Sequence, residues 1–348
     1  MPAIPPTLID MNALLHSNIE WVIIDVRSPA EFAKAHIPDA INLPLFSNEE
    51  RAIVGTTYKQ QSPEEALLIG LEFAGLKMRQ YIEQALLIAP EKKVMVYCWR
   101  GGKRSESMGW LLSMAGFEVH ILKGGYKYYR RYALHYYAMN QPKLIVLGGQ
   151  TGIGKTYVLH QLLYKGEQII DLEKLANHKG SAFGSLGEAT QPSTEHFENL
   201  LFEQFSKLDL SKRIFVENES QAIGTCLIPR DFFVLMKQYY YIQYTIPYVD
   251  RVDRLVQQYA IYPISDLKAR FDKIKNKIGG EQLKRAYQFL DQNDFGAAAV
   301  IALKFYDKTY LYGFENNTTP HKLMIDFEDA DTVLIAEEII KTCNQLNI

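Results

Sequence analysis

Short apolar segments alternate along the chain with longer stretches in which hydrophobic and polar residues follow a helical period. In the first part, the apolar segments predict strands at 21–25, 36–42, 93–97 and 118–122. The helical periods predict helices at 29–35, 64–88 and about 104–115. Residues 47–62, between the predicted strand 36–42 and the predicted helix 64–88, form a long polar excursion. Strands that alternate with helices are typical of a parallel α/β sheet.

The same alternation starts again after a break in the pattern near residue 140. Its apolar runs predict strands at 143–147, 168–171, 213–217, 241–246 and 321–327. A mostly helical, charged segment lies around 250–310, and an amphipathic helix is predicted at 330–346. The pattern therefore predicts an α/β protein in three segments: a domain at 10–138, a linker at 139–142 and a second parallel-sheet domain at 143–348.

Composition fits a folded protein and narrows the classes of function. Hydrophobic residues make up 47% of the 348 positions and charged residues 22%, which disordered chains do not show. With a net charge of −2, nucleic acid would have to bind at a local basic patch. Three cysteines are an odd number and predict a reducing compartment rather than a disulfide framework. The sequence shows no secretory leader and no membrane-length apolar run, so we expect a cytoplasmic protein without a membrane partner.

Cys98 is the first candidate catalytic residue. It follows a predicted buried strand and opens a glycine-rich, basic loop that leads into a helix. The positive potential of a helix N-terminus and nearby cations both favour the thiolate form of a cysteine. We therefore predict a nucleophile here rather than a core cysteine. The expected anion cradle around it consists of Arg100, Gly101, Gly102, Lys103 and Arg104.

The first domain resembles the rhodanese family over about 10–138. Its motifs occur in the order that this fold uses, at 25–32, 36–44, 98–105 and 124–126. The resemblance implies that Cys98 receives a chalcogen atom. However, the C-x5-R spacing from Cys98 to Arg104 is one residue longer than in the usual sulfurtransferase loop, and phosphatases that share the fold also have it. The spacing alone therefore leaves chalcogen transfer and phosphate hydrolysis open.

A second motif, G-x-x-x-x-G-K-T, lies between a predicted strand and a predicted helix. Its glycines allow the backbone to wrap around phosphate oxygens, and its lysine neutralises charge on the terminal phosphates. The candidate phosphate-binding residues are Gly149, Gly152, Gly154, Lys155 and Thr156. Thr156 is also a candidate Mg²⁺ ligand. Because such a loop recognises a diphosphate or triphosphate and not a base, it does not by itself predict nucleotide hydrolysis.

Acidic and basic residues supply further candidates. Asp171 and Glu217 end two predicted strands and form a candidate second acidic site, with Glu219 close behind; P-loop proteins more often have Asp at the position of Glu217. Basic residues predict a weak site for the phosphate backbone of tRNA, with a solvated helical face as the alternative interpretation. They are Lys127, Arg130, Arg131, Lys273 and Lys277.

The two blocks together resemble the bacterial tRNA 2-selenouridine synthase family over nearly the whole chain. The agreement runs through motifs at 51–59, 97–105, 124–127, 148–156, 171–173, 178–181 and 216–220. The resemblance implies an N-terminal rhodanese-like domain and a C-terminal P-loop NTPase-like domain with a helical region. It also implies a transferase that replaces the sulfur of wobble 2-thiouridine in tRNA by selenium. Selenophosphate is then the selenium donor, Cys98 carries selenium as S-selanylcysteine, and geranyl diphosphate supplies an S-geranyl intermediate.

The expected partners follow from this resemblance, and rival functions remain open. We expect tRNA with wobble 2-thiouridine, an enzyme that supplies selenophosphate as a candidate partner, and no tightly bound cofactor. The rivals are a rhodanese-type sulfurtransferase or a C-x5-R phosphatase with a regulatory nucleotide-binding domain, and a non-catalytic module that binds tRNA or nucleotide. The sequence also leaves open whether the P-loop binds geranyl diphosphate or a nucleotide, which tRNAs are served, how tRNA docks, and the oligomeric state.

Overall fold

Two five-stranded sheets, each parallel throughout, organise the computed structural model, which describes residues 4–17, 21–140, 142–315 and 319–348. The chain divides into a first unit that ends at His135 and a second that begins at Tyr136. The predicted α/β class with two parallel sheets is therefore confirmed. A parallel strand is buried on both faces, which is why these strands appear in the sequence as continuous apolar runs.

The sheet of the first unit has the spatial order β1-β5-β4-β2-β3. Its strands are β1 (Thr7–Ile9), β2 (Val22–Asp25), β3 (Ile41–Asn42), β4 (Lys93–Tyr97) and β5 (Glu118–Leu122). The helices are α1 (Met11–Leu15), α2 (Pro29–Lys34), α3 (Asn48–Gln60), α4 (Pro63–Gly75), α5 (Met78–Ile88), α6 (Lys103–Met114) and α7 (Gly125–Met139). The core joins the central strands to α5 and α6. Since β4 is the middle strand, the loop that follows it lies over the centre of the sheet edge.

The polar stretch 47–62 forms helix α3 rather than an irregular excursion. Ser47 caps this helix by accepting a hydrogen bond from the Glu50 amide at 3.2 Å, and the Glu50 carboxylate accepts one from the Ser47 amide at 2.8 Å. This reciprocal pair is a capping box, which satisfies two backbone donors that a helix start leaves open. Only Thr57 of α3 is buried, so no apolar stripe revealed the helix in the sequence.

The sheet of the second unit has the spatial order β12-β11-β6-β8-β7. Its strands are β6 (Lys143–Gly148), β7 (Gln168–Ile170), β8 (Arg213–Glu217), β11 (Tyr240–Thr245) and β12 (His321–Asp326), and β9 (Ala222–Ile223) and β10 (Cys226–Leu227) form a separate antiparallel pair. The helices are α8 (Lys155–Tyr164), α9 (Leu172–Ala176), α10 (Thr194–Ser206), α11 (Arg230–Leu235), α12 (Tyr248–Tyr259), α13 (Ile264–Ile278), α14 (Gly280–Asp291), α15 (Phe295–Glu315) and α16 (Thr332–Gln345).

Two hydrophobic clusters among the described residues of this unit lie near the sheet and the helical segment. One packs α8 and α16 against the sheet. The other lies within the helical segment and joins α13, α14 and α15 to residues of the 177–191 connection, with Phe183, Phe271 and Leu290 buried in it. Among the helices of the described ranges, none has the length and apolar character needed to cross a membrane.

Candidate active site

The Cys98 thiol lies at the C-terminal end of β4, where the loop turns into α6. Its side chain is 4% exposed. Its Sγ atom is 3.8 Å from the Gly102 carbonyl oxygen and 3.3 Å from Ser105 Oγ. The Ser105 hydroxyl also donates to that carbonyl at 3.0 Å. The first turn of α6 therefore holds the sulfur, and Ser105 is a contact that the sequence motif did not single out.

Two glycines bring the cysteine loop and the start of α7 into direct backbone contact. Gly101 and Gly125 have φ values of +68° and +59°, which a side chain would strain. A Cβ on Gly125 would overlap the Cys98 carbonyl oxygen and the Gly101 amide. The next residue, Tyr126, donates its amide to the same Cys98 carbonyl at 2.9 Å. This close backbone contact fixes the loop. It also explains why the chain has glycines both at 101–102, in the loop, and at 124–125, where α7 begins.

The three cations of the predicted anion cradle have different surroundings in the structure. Arg100 and Lys103 are exposed. Arg104 instead donates to Glu31 of α2, with Nη1 2.8 Å from Oε2. Burial alone would raise the pKa of Glu31, but the Arg104 hydrogen bond and charge hold it below its ordinary value. The Arg104 guanidinium is thus already paired, which leaves Arg100 and Lys103, the latter 3.9 Å from Glu106, as the cations of the loop that are exposed to an anion.

The phosphate loop has the backbone that its sequence predicts. It joins the end of β6 to the start of α8, and Gly149, Gly152 and Gly154 have φ values of +152°, +84° and +79°. A Cβ on Gly154 would overlap the Arg254 guanidinium. The motif therefore forms the strand, loop and helix arrangement that binds anions at a helix N-terminus.

Two arginines of α12 donate hydrogen bonds to backbone carbonyl oxygens of the phosphate loop. Arg251 donates from Nε to the Thr151 carbonyl at 2.9 Å. Arg254 donates from Nη1 to the Ile153 carbonyl and from Nη2 to the Ala330 carbonyl, the latter at 3.0 Å. With its carbonyls occupied in this way, the loop is fixed from the side of α12. These contacts have no local signal in the sequence, because α12 lies about a hundred residues after the loop.

A cavity of about 430 Å³ opens at the phosphate loop and is lined by Lys155, Thr156 and several acidic residues. The Thr156 hydroxyl donates to the Glu173 carboxylate at 2.8 Å. Asp171 also lines the cavity and caps α9, accepting from the Lys174 amide at 2.8 Å. Its other oxygen lies 2.7 Å from Nε2 of His160, a second residue that sequence reasoning missed.

The two acids that follow β8 have different environments. Glu217 is fully buried and does not line the cavity; its Oε2 accepts from the Leu172 amide at 3.1 Å. Burial, with the Asp171 and Glu173 charges, raises the pKa of Glu217 well above its ordinary value. Glu219 does line the cavity, and burial raises its pKa to about 7 although Lys155 opposes the shift. The structure therefore brings Asp171 and Glu219 to the phosphate loop and leaves Glu217 behind them.

A second, apolar cavity adjoins the first within the same unit. Five residues line both cavities: Thr151, Ser181, Leu255, Tyr259 and Tyr306. Beyond them the lining is hydrocarbon and aromatic, from Val256 of α12, Ala260, Phe183 and residues of α13, α14 and α15. The Tyr306 hydroxyl accepts from the Ala182 amide at 3.0 Å, so the shared wall is itself ordered by hydrogen bonding.

Within the described part of the chain, no group of three or more His, Cys, Asp or Glu side chains is placed to hold a metal ion. The Thr156 hydroxyl is of the oxygen type that Mg²⁺ prefers, and Mg²⁺ beside a phosphate typically takes only one or two protein ligands. Thr156 as a Mg²⁺ ligand therefore stays a prediction.

The basic residues predicted to contact tRNA are on the surface of both units. Lys127 and Arg131 are exposed on α7, and Arg130 between them is half-buried. Lys273 and Lys277 are exposed on α13. Their exposure is what a contact with a phosphate backbone requires, and their role in binding stays a prediction.

Comparison with known proteins gives the family. A model described as "tRNA 2-selenouridine synthase AAA domain" matches residues 142–337, more than half of the chain, and a "Rhodanese-like domain" model matches 10–132. A solved structure, of the N-terminal domain of an ATP/GTP-binding protein from Clostridium difficile 630, is 38% identical and covers 37% of this chain and 99% of its own, with a TM-score of 0.35.

Curated relatives named tRNA 2-selenouridine synthase match most of the chain. The protein of Nitrosomonas europaea is 37% identical over 69% of this chain but only 63% of its own length, less than two thirds. That of Pseudomonas putida strain GB-1 is 36% identical over 75% of this chain and 70% of its own. That of Hydrogenovibrio crunogenus is 33% identical over 87% of this chain and 91% of its own. The chain therefore belongs to the tRNA 2-selenouridine synthase family.

Proposed function

We propose that this protein is an enzyme that converts wobble 2-thiouridine of tRNA to 2-selenouridine in two steps. The first step alkylates the sulfur with geranyl diphosphate, and the second replaces the geranylated sulfur by selenium from selenophosphate. With one water consumed, the products besides the modified tRNA are geranyl thiol, phosphate and diphosphate. The names of the relatives support the selenouridine product. The two adjoining cavities of the second unit support the geranyl route.

The observation that carries the geranyl step is the apolar cavity beside the phosphate loop. A prenyl diphosphate joins its diphosphate directly to a hydrocarbon chain, which matches the order of the two cavities. A nucleotide would place a sugar and a base beyond its phosphates, and the polar groups of both need partners that this apolar lining does not supply. At about 60 Å³, roughly the room of four water molecules, the apolar cavity is smaller than a ten-carbon chain. Full entry of the chain therefore requires side chains of the cavity lining to move.

The phosphate loop then assists the departure of diphosphate. Lys155 and the loop amides at the α8 N-terminus stabilise the negative charge that grows as the carbon–oxygen bond breaks. Mg²⁺ held with the help of Thr156 would neutralise part of that charge. Alkylation also makes the second step easier. The sulfur of a thiocarbonyl group is a poor leaving group, whereas an alkylated sulfur leaves as a thiol.

Cys98 is the proposed residue of the selenium step. Its burial and its contacts with Gly102 and Ser105 hold the sulfur at the α6 N-terminus, where the selenide that water releases from selenophosphate, with phosphate as the other product, is stabilised as an anion. Arg100 supplies a cation for selenophosphate. A free thiol favours a reducing compartment, so we place this chemistry in the cytoplasm. The exposed lysines and arginines of α7 and α13 are proposed to position the tRNA, and an enzyme that makes selenophosphate is the proposed donor partner.

The test uses the full-length protein with wobble-thiolated tRNA, geranyl diphosphate and selenophosphate, followed by mass analysis of the nucleosides. We expect selenouridine with the wild type, geranylated thiouridine with Cys98→Ala, and unreacted thiouridine with Lys155→Ala. Lys212→Ala, a change of an exposed lysine remote from the loop motifs, serves as the control and should react normally.

Other outcomes would overturn parts of this proposal. No change of nucleoside mass with the wild type would refute it as a whole. Turnover of a generic aryl phosphate would then favour the phosphatase, and transfer from thiosulfate to cyanide would favour the sulfurtransferase. A requirement for ATP without any dependence on geranyl diphosphate would refute the geranyl step alone.

A further inference from the structure

The phosphate cavity contains one carboxylate that its neighbours leave open. Asp171 is engaged by His160 and the Lys174 amide, Glu173 by Thr156, and Glu188 by Lys179 at 2.8 Å. The Glu219 carboxylate lines the same cavity, and among the described residues no side chain or amide is hydrogen-bonded to it.

The backbone keeps this carboxylate in place. A Cβ on Gly180 would lie 2.5 Å from Glu219 Oε2, so the carboxylate rests directly against the Gly180 α-carbon. Gly180 has a φ of +68°, which favours glycine at this position. Glu219 also follows β8 by two residues, at the carboxyl edge of the sheet where the phosphate loop begins. Glu219 is therefore a positioned acceptor with a free lone pair, beside the site proposed for the leaving diphosphate.

Alkylation of 2-thiouridine needs such an acceptor. When the sulfur forms its bond to the geranyl carbon, the C2–S double bond becomes single. Neutrality is then restored only if N3 loses its proton and forms a double bond to C2. Without a base, the product of the step is a cation, and the barrier is higher.

Building on the proposed function, we infer that Glu219 is the general base of the geranylation step. The sulfur attacks C1 of the geranyl group, the C1–O bond breaks, and its electron pair leaves with diphosphate. The electrons of the N3–H bond form the C2–N3 double bond, and the proton moves to the Glu219 carboxylate. Glu219 thus acts as a catalytic residue on the same cavity that holds Lys155.

The electrostatic surroundings suit a base that works near neutral pH. Burial raises the pKa of Glu219 to about 7, Lys155 opposes the shift, and Glu173 adds to it. The charged groups on the cavity wall around it are Lys155, His160, Asp171, Glu173, Lys174, Lys179, Glu188 and Arg254, and the wall also contains the hydroxyls of Tyr157, Tyr259 and Tyr306. Glu217, on the strand that precedes it, has a raised pKa of its own, because burial and the charges of neighbouring carboxylates, Glu219 among them, disfavour its ionised form. A base is most effective when its pKa lies near the working pH.

The experiment follows S-geranyl-2-thiouridine formation by the full-length protein from wobble-thiolated tRNA and geranyl diphosphate, without selenophosphate, in single turnover and at steady state from pH 5.5 to 9. The wild-type rate should rise with pH and level off above about 7, as one carboxyl group ionises. Glu219→Gln should lower kcat about 100-fold with little change in the KM for geranyl diphosphate. Its residual rate should keep rising in alkali, where the N3 proton is lost without help. Glu219→Asp should recover part of the rate.

Glu203→Gln is the matched control, since Glu203 pairs with Lys207 on the surface of α10 at 2.7 Å. Wild-type kcat and pH profile in Glu219→Gln would overturn the inference, and so would a lower rate with an unchanged profile, which marks a structural role. A wild-type rate that stays flat from pH 5.5 to 8 would overturn it without any variant. Absence of geranylated product from the wild type would instead refute the proposed function.

Discussion

Arg251 of α12 forms a buried salt bridge with Asp307 of α15, with Nη1 3.2 Å from Oδ2 and a second, shorter contact through Nη2. Arg251 is 3% exposed and also donates to the Thr151 carbonyl and, at 3.0 Å, to the Gln150 side chain. One guanidinium therefore joins the phosphate loop to the helical segment that surrounds the apolar cavity.

Loss of one partner of this pair should be costly. Asp307→Ala leaves a buried, uncompensated guanidinium, so the free energy of unfolding should fall by about 3 kcal/mol. Binding of inorganic diphosphate should weaken as well, because the loop loses its support. Denaturant unfolding and diphosphate titration measure both effects. Asp291→Ala removes the partner of Lys268 in a more exposed pair and should cost less than about 1 kcal/mol. Equal losses in the two variants would contradict the prediction.

The Ser105 hydroxyl should activate the cysteine. At 3.3 Å from Cys98 Sγ, the hydroxyl donates to the thiolate by rotating away from the Gly102 carbonyl, and a hydrogen bond to a charged group contributes about 1.5–3 kcal/mol. Ser105→Ala should therefore slow alkylation of Cys98 by iodoacetamide about ten-fold, measured by peptide mass analysis. Ser113→Ala, on the same helix but bonded to the Trp110 carbonyl, should leave the rate unchanged. The same rate in both variants would assign Ser105 a packing role only.

Gly125, which lies against the Cys98 carbonyl, should not accept a side chain without a loss of stability. Gly125→Ala adds backbone strain and an overlap with the Cys98 carbonyl, so the first unit should lose about 2–4 kcal/mol of stability. Gly116 has a similar φ of +83°, but its nearest neighbour to an added Cβ is 3.8 Å away. Gly116→Ala should therefore cost only about 1 kcal/mol. A Gly125→Ala protein as stable as Gly116→Ala would show that the loop adapts without cost.

Glu217 should make stability depend on pH. Its pKa in the folded protein lies well above the ordinary value of 4.5, because it is buried beside Asp171 and Glu173. From pH 4.5 up to that raised pKa, the folded state binds more protons than the unfolded state, so stability falls as pH rises. The slope from one group is at most about 1.4 kcal/mol per pH unit.

The isosteric change Glu217→Gln removes this titration and keeps an acceptor for the Leu172 amide. The variant should unfold at a higher temperature than the wild type at pH 8, and the difference should shrink toward pH 4.5. Thermal unfolding at several pH values measures it. Glu203→Gln on the surface should follow the wild type. A Glu217→Gln difference that is constant with pH would mean that Glu217 is ionised in the folded protein.

The apolar cavity should decide whether the chain of a prenyl diphosphate binds. Ala299 of α15 lines this cavity, whereas Ala297 does not. Ala299→Phe fills the space, so the affinity for geranyl diphosphate should fall about ten-fold or more, while inorganic diphosphate binds as before. Ala297→Phe should change neither affinity. Calorimetric titration of both ligands tests this, and parallel loss of both would mean that the substitution disturbs the phosphate loop itself.

The parallel sheets and the two loops could be predicted because their signals are local. The predicted strand 93–97 coincides with β4, since a strand buried on both faces is apolar at nearly every position. The glycines of the phosphate motif specify a backbone with positive φ that other residues avoid. In both cases the residues that determine the structure are neighbours in sequence.

Other features could not be predicted from the sequence, because the segments that form them are short or their partners are distant along the chain. β1 has three residues and exists only by pairing with β5, more than a hundred positions later. Helix α3 lacks a buried stripe, so only its capping box marked it. The pairing of Arg104 with Glu31 crosses 73 positions. At the end of β8 the sequence favoured Glu217, but burial placed it behind the cavity and Glu219 in it.

Helix α12 belongs to both cavities at once. Leu255 and Tyr259 line the two of them, and Arg251 and Arg254 of the same helix bind the phosphate loop. A hydrocarbon in one cavity and an anion in the other therefore act on a single rigid element. Any effect that one of them has on the affinity of the other is reciprocal and equal in size by thermodynamic linkage. Geraniol and inorganic diphosphate, added as separate molecules, therefore test whether head and tail are coupled through the helix without the bond that joins them.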